Sequence, residues 1–231
     1  MRIVITDVTE MHQDDYCVAG WRPNTSQIGI IRWMIPSRMV RPLPNGGNWT
    51  GQLLARRQIV PGAMFGFRAT GARPTGLYPH RTEDTPIDPD TIKLINQPPW
   101  QWFGTDAPPT AVTLADAFGG HLQKARKGAY VQDGTRVGSL AAVKISYGSL
   151  VFYEDDYRGE KSLRAYLEDP VDRYSLPVVA KSLRETYRRR GADSVNQLLP
   201  NQGYLHVRVG LARASVGQPE RCTVMINGVY W

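Results

Sequence analysis

The sequence predicts a mainly β chain with a few helices, arranged as two small Greek-key barrels in tandem. Three observations predict it. Seventeen Pro and 22 Gly cut the 231 residues into short pieces, which favours many short strands over long helices. Some pieces alternate strictly: Leu205, Val207, Val209 and Leu211 interleave with His206, Arg208 and Gly210, as in a strand with one buried face. The stretch 97–109, with four Pro and two Trp, reads as a boundary between two halves, 1–109 and 110–231.

In the first half, residues 2–8 (RIVITDV) and 16–22 (YCVAGWR) read as strands. A Pro-Asn-Thr-Ser turn then leads into 27–35 (QIGIIRWMI), the second arm of a hairpin. Residues 36–50 are rich in Pro, Gly and Arg and read as a loop, and 51–57 as one or two helical turns. A strand over 62–71 puts Phe65 and Phe67 on one face. After a turn-rich segment, 91–96 (TIKLIN) reads as a strand.

In the second half, Leu114, Ala117, Phe118, His121 and Leu122 are at helical spacing, which predicts a helix over 110–127. Strands follow at 137–147 and 149–154, a short helix at 160–167, a strand at 171–179, a helix at 180–190 and a turn at 195–199. Two strands, 203–212 and 222–230, close the chain. About five short strands and a modest helix per half is the make-up of an OB-like barrel, which presents one face to oligonucleotides. The halves share no sequence repeat.

Charge is unevenly spread. The first 15 residues carry −3, and everything from Glu83 onward carries +1. Between them, Tyr16 to Thr82 holds nine Arg and no Asp, Glu or Lys. Trp21, Trp33, Trp49, Phe65, Phe67 and Tyr78 are interleaved with those Arg. Guanidinium groups pair with phosphate and stack on bases, and cations mixed with aromatic rings form the usual single-strand platform. Trp21, Arg22, Arg32, Trp33, Arg41, Phe65, Phe67 and Arg68 are therefore the candidate nucleic-acid surface. Arg188 and Arg189, at the end of the 180–190 helix, are further phosphate contacts; cations at a helix C-terminus also answer the macrodipole.

His80, Glu83 and Asp84 form the densest polar group. A His with two carboxylates suits metal-assisted phosphate chemistry; the alternative is a structural turn whose acids cap backbone N–H groups and pair with Arg. The four His are scattered and the two Cys, 17 and 222, lie in separate apolar runs, so neither a zinc site nor a disulfide is expected. No phosphate-binding Gly-Lys-Ser/Thr loop occurs, and no cofactor is expected. No run of 18 apolar residues occurs, and the opening is too polar for a signal peptide. A cytoplasmic protein with no membrane partner is the expectation.

Four stretches resemble one family. They are MRIVITDVTEM with CVAGW, Pro79-His80-Arg81-Thr82-Glu83-Asp84, DRYSLPVVAKSLR at 172–184, and VRVGLAR (207–213) with TVMINGVYW (223–231). Together they resemble the dual OB-containing domain family of bacterial proteins linked to biological conflict. Arg81 interrupts the family's Pro-His-Thr-Glu-Asp segment, and Ala180 stands where an Asp is usual. The resemblance implies two OB barrels in tandem and recognition of nucleic acid or nucleotide; it implies no catalytic role. Three functions follow: a non-enzymatic binder of single-stranded nucleic acid, an adaptor or sensor for a protein partner or small nucleotide, and a metal-dependent nuclease or phosphoesterase using His80, Glu83 and Asp84.

Overall fold

The computed structural model describes residues 1–11, 14–22, 38–71, 77–96, 110–157 and 159–231. Two compact units result, Met1–Gly76 with Arg81–Pro108, and Leu77–His80 with Pro109–Trp231.

In the first unit, β1 (Arg2–Glu10), β2 (Asp15–Arg22) and β3 (Arg38–Pro44) are followed by a two-residue β4 (Trp49–Thr50). Then come the helix α1 (Gly51–Arg57) and strands β5 (Met64–Ala69) and β6 (Asp84–Asn96). Pairing runs β1–β2–β3–β6–β5 and back to β1, so the sheet closes on itself. Every pairing in that ring is antiparallel except β3–β6, which is parallel. β1 serves two neighbours: Arg2–Val4 pair with β5 and Val4–Glu10 with β2, with a register shift between Ile5 and Asp7 that bends the strand. The helix lies between the third and fourth strands of the ring. This order and pairing is the OB barrel. Ile3, Ile5, Val18, Val40, Trp49, Phe65, Phe67 and Ile87 fill it.

Two readings of this half change. Residues 36–50 are not all loop, because β3 runs through Pro42 and Pro44. Arg41 donates its N–H towards β6 (2.8 Å to the Glu83 carbonyl), so the positions of Pro42 and Pro44 face the β2 side. Pairing with β2 already ends at Val40, and no donor is missed. The acidic, Pro-rich run before 91–96 is also strand: β6 starts at Asp84. The expected strand at 27–35 lies outside the described residues.

The second unit repeats the design. Strands β7 (Gln123–Lys124) and β8 (Ala129–Gln132) form an outer hairpin. β9 (Leu140–Ser146) and β10 (Leu150–Tyr157) are two parts of one long strand broken by a 3-10 turn at Tyr147–Ser149. β11 (Glu160–Glu168), β12 (Arg173–Pro177), β13 (Tyr204–Leu211) and β14 (Arg221–Tyr230) complete it. β10 pairs with β11, β11 with β12, β14 with β13, and β13 with β9, all antiparallel. Just beyond β12, Val178 bridges Ile226 of β14 in parallel, and Val179 donates to the Ile226 carbonyl at 2.9 Å. The ring is the same OB order, with its third and fifth strands joined only at that point. Two helices, Lys181–Arg190 and Ala192–Asn196, again fall between third and fourth strands.

Residues 160–167 form a strand, not a helix. Leu163 and Leu167 are four apart, as on a helix face, but Ala165 between them is buried with them, and the period is two. The helix expected over 110–127 lasts only for α2 (Leu114–Ala117), capped by the Thr113 hydroxyl accepting from the Asp116 N–H at 3.0 Å. Gly119 and Gly120 take φ of +61° and +78° and end it. The helix at 180–190 is α3 (Lys181–Arg190), followed by α4 (Ala192–Asn196). Among the described residues no helix is long and apolar enough to cross a membrane.

On β13, burial and then the nearby Arg208 charge push His206 down to about 3. An unfolded chain binds this proton near pH 6.5, so the native state is favoured in full above that pH and loses stability as pH falls below it. Urea denaturation should show a loss of about 1 kcal/mol between pH 6.5 and 5.5 from this ring, absent in His206→Leu.

Candidate nucleic-acid interface

The Arg-rich block does not face solvent undivided. β6 brings three acids alongside it. Asp84 pairs with Arg41 at 2.7 Å with both side chains buried, Asp88 with Arg68 at 2.6 Å, and Asp90 with Arg57 at 3.7 Å. The Arg68 bond, then the Asp90 N–H, hold the Asp88 carboxyl below its usual range. Phe65 and Phe67 are core residues of the first barrel, which needs large rings inside, Trp21 is buried beside Val4 outside that core cluster, and Arg41 is buried with its acid; these four do not form an exposed surface. Arg22 is exposed, as is most of the Arg68 side chain (74%). Arg32 and Trp33 lie outside the described residues. Arg188 and Arg189 are exposed in the last turn of α3.

His80, Glu83 and Asp84 are all buried. His80 belongs to the second unit, where its Nε2 lies 2.8 Å from the Leu211 carbonyl oxygen. Glu83 and Asp84 belong to the first unit, where the Glu83 carbonyl accepts from the Arg41 N–H and the Asp84 carboxylate holds the Arg41 guanidinium. These contacts fit the structural-turn alternative for the His80 and Asp84 side chains, and for Glu83 they engage the main chain.

A different basic and aromatic surface stands on the second barrel. On the outward face of β10–β11–β12, Val151 lies opposite Tyr166 and Tyr166 opposite Ser175, while Tyr153 lies opposite Arg164. Tyr153 reaches diagonally and stacks on Tyr166, with centroids 4.4 Å apart and planes at 15°. From the other side of β11, the Arg173 guanidinium lies over the same ring at 4.2 Å. Stacks of this kind are favourable by about 0.5–1.5 kcal/mol for the rings and a similar amount for the cation. Ser175 fixes the base of the layer: its Oγ shares a hydrogen bond with the Tyr153 hydroxyl at 2.5 Å and accepts from Arg164 Nε at 3.0 Å, and its carbonyl accepts from Arg164 at 2.6 Å.

The hairpin β7–β8 supplies one wall. Its turn packs against β12 so closely that a Cβ on Gly128 (φ +95°) would stand 2.9 Å from the Ser175 carbonyl oxygen. Between turn and sheet is a cavity of about 290 Å³ lined by Lys124, Arg126, Gly128, Tyr166, Arg173 and Ser175. Lys124 pairs with Asp172, and Lys127 with Asp155 at 2.9 Å. The Lys124 contact, then the Arg173 N–H, hold the Asp172 carboxyl below its usual range. Arg126 has no carboxylate within pairing distance among the described residues. Glu168 is opposite Arg173 in register, and the Arg173 guanidinium lies on Tyr166.

Reasoning from sequence missed this surface because it placed a helix on 160–167. Read with period two, the segment puts Arg164 and Tyr166 on the face opposite Leu163 and Leu167. Arg173 and Ser175 alternate likewise with Tyr174 and Leu176.

Fold and surface together define a protein of two OB barrels with a basic, ring-stacked face on the second. No family model and no curated protein matches the chain. Two solved structures align with all of it: the tetrameric p202 HIN2 (TM-score 0.34, 9% identity, 91% of that chain) and the p204 HINb domain (TM-score 0.35, 11% identity, 94% of that chain). Likeness of that degree carries no weight for fold or function; the strand pairing assigns the barrels.

Proposed function

We propose that this protein binds single-stranded nucleic acid through the β10–β11–β12 face of its second barrel, as a binding protein and not a catalyst. The observation that supports it is the Tyr153–Tyr166–Arg173 stack beside a cavity lined by Arg126 and Lys124. On an OB barrel this face, built on the second and third strands, is where oligonucleotides lie. Bases stack on rings and on guanidinium planes, while Arg126, which has no carboxylate partner among the described residues, neutralises the backbone. Exposed Arg188 and Arg189, in the same unit, extend the proposal as secondary phosphate contacts. We extend the proposal to a role in a bacterial conflict system, for which the support is the resemblance of the four sequence stretches to the dual OB-containing family.

Fluorescence polarisation with labelled single-stranded DNA and RNA at two or more salt concentrations tests it. Affinity should fall steeply with salt as counterions are released. Tyr166→Ala should weaken binding about 5- to 100-fold, the value of one lost stacking platform. Arg126→Ala should reduce the salt slope by about one phosphate contact. Parent-like binding by both variants, or no binding by the parent at low salt, overturns the reading.

A further inference from the structure

The cavity beside Tyr166 is too small for a strand and too cationic for one internal phosphodiester. We infer that it takes a phosphate monoester carried by a nucleotide, so that the second barrel captures a phosphorylated strand end. This rests on the nucleic-acid reading above.

Size is the first argument. At about 290 Å³ the space stands at the lower limit of small-ligand pockets. It admits one phosphate with part of its nucleotide, and the turn of the β7–β8 hairpin closes one side. Gly128 makes that closure: its missing Cβ lets the turn approach the Ser175 carbonyl, and a larger residue would hold the wall off the sheet.

Charge is the second argument. An internal phosphodiester carries one negative charge; a terminal monoester carries about −1.5 to −2 at neutral pH and three strong acceptor oxygens. Of the cations lining the cavity, Lys124 is answered by Asp172. Arg126 and Arg173 have no carboxylate partner among the described residues. Two unanswered guanidinium groups match a monoester, and each offers a planar fork suited to paired phosphate oxygens.

Position is the third argument. Arg173 is both a cavity wall and the outer plane of the tyrosine stack. A nucleotide whose phosphate meets Arg126 and the edge of the Arg173 guanidinium has its base beside the tyrosine stack. Ser175 and Arg164, bonded to each other, keep the floor rigid.

The same chemistry is offered by a free nucleoside monophosphate, and the experiment separates the two sources. Single-stranded 12-mers bearing a 5′-phosphate, a 3′-phosphate or hydroxyls at both ends, labelled away from the varied end, are compared by fluorescence polarisation. AMP is titrated separately by calorimetry. One phosphorylated end should bind about tenfold or more tightly than the hydroxyl-ended strand. Arg126→Ala, an exposed turn position that leaves the fold intact, should bring that ratio to about one. Equal affinity for all three strands overturns the inference and leaves the nucleic-acid reading standing. Saturable AMP binding with no strand binding supports the monoester site and removes the nucleic-acid reading. Binding of neither removes both.

Discussion

Asp84→Ala should destabilise the first barrel by about 3–5 kcal/mol, the cost of breaking a buried ion pair by removing one partner. Arg41 and Asp84 meet at 2.7 Å with side chains 7% and 2% exposed, so water cannot replace the lost carboxylate. The pair also stands at the one parallel junction of the barrel, Arg41 being in register with Asp84 itself. Loss of the carboxylate therefore leaves a charge buried where the ring closes. Five of the six Trp precede residue 109, so urea denaturation followed by tryptophan fluorescence reports this unit. The double variant Arg41→Met, Asp84→Leu should recover part of the loss, because apolar groups of similar size remove both charges of the pair, while the buried Glu83, which also acts on Arg41, keeps the recovery short of complete. A loss below about 1 kcal/mol for Asp84→Ala would mean that the pair behaves as a surface contact.

That pair also explains why the charge map misleads. In sequence, the nine Arg from Tyr16 to Thr82 have no acid among them. In space, three of them, Arg41, Arg57 and Arg68, meet acids from the next strand, since β6 lies between β3 and β5 and carries Asp84, Asp90 and Asp88. Electrostatic pairing is decided by strand order, and a closed barrel joins positions 43 residues apart. Local signals fared better. The strand at 203–212 and the helix at 51–57 are both present, because each depends on neighbours a few residues away; the strand's expected open face is not, since Arg208 and Gly210 are buried along with Val207, Val209 and Leu211. The failures were also physical. Leu163 and Leu167 fit both a helix face and a strand face, and only the burial of Ala165 decides between them. Pro42 and Pro44 signal a loop until the sheet shows that their missing N–H groups face an unpaired side. The tandem design was legible from the number and spacing of strands, although the two barrels share no sequence repeat. The basic face on the second barrel was not, since it needs Arg173, Tyr166 and Arg126 to converge from three separate segments.

Phe65→Ala separates the core aromatics from the binding aromatics. Phe65 is buried among the large side chains of the first barrel, and truncating it should cost about 3–5 kcal/mol through lost burial and the cavity left behind. Such a loss lowers the folded fraction, not the chemistry of the second barrel's face. Below the unfolding transition, oligonucleotide affinity corrected for folded protein should therefore match the parent. Tyr166→Ala should behave in the opposite way. Its ring is partly exposed and rests on Tyr153 and Arg173, so its removal should cost little stability, on the order of the stacking terms, and much of the affinity. The two variants thus form a crossed pair, measured by urea denaturation and fluorescence polarisation on the same preparations. If Phe65→Ala weakened binding at parent-like stability, and Tyr166→Ala left binding untouched, the interface would belong to the first barrel, and the aromatic residues interleaved with its arginines would be the ones that meet the strand.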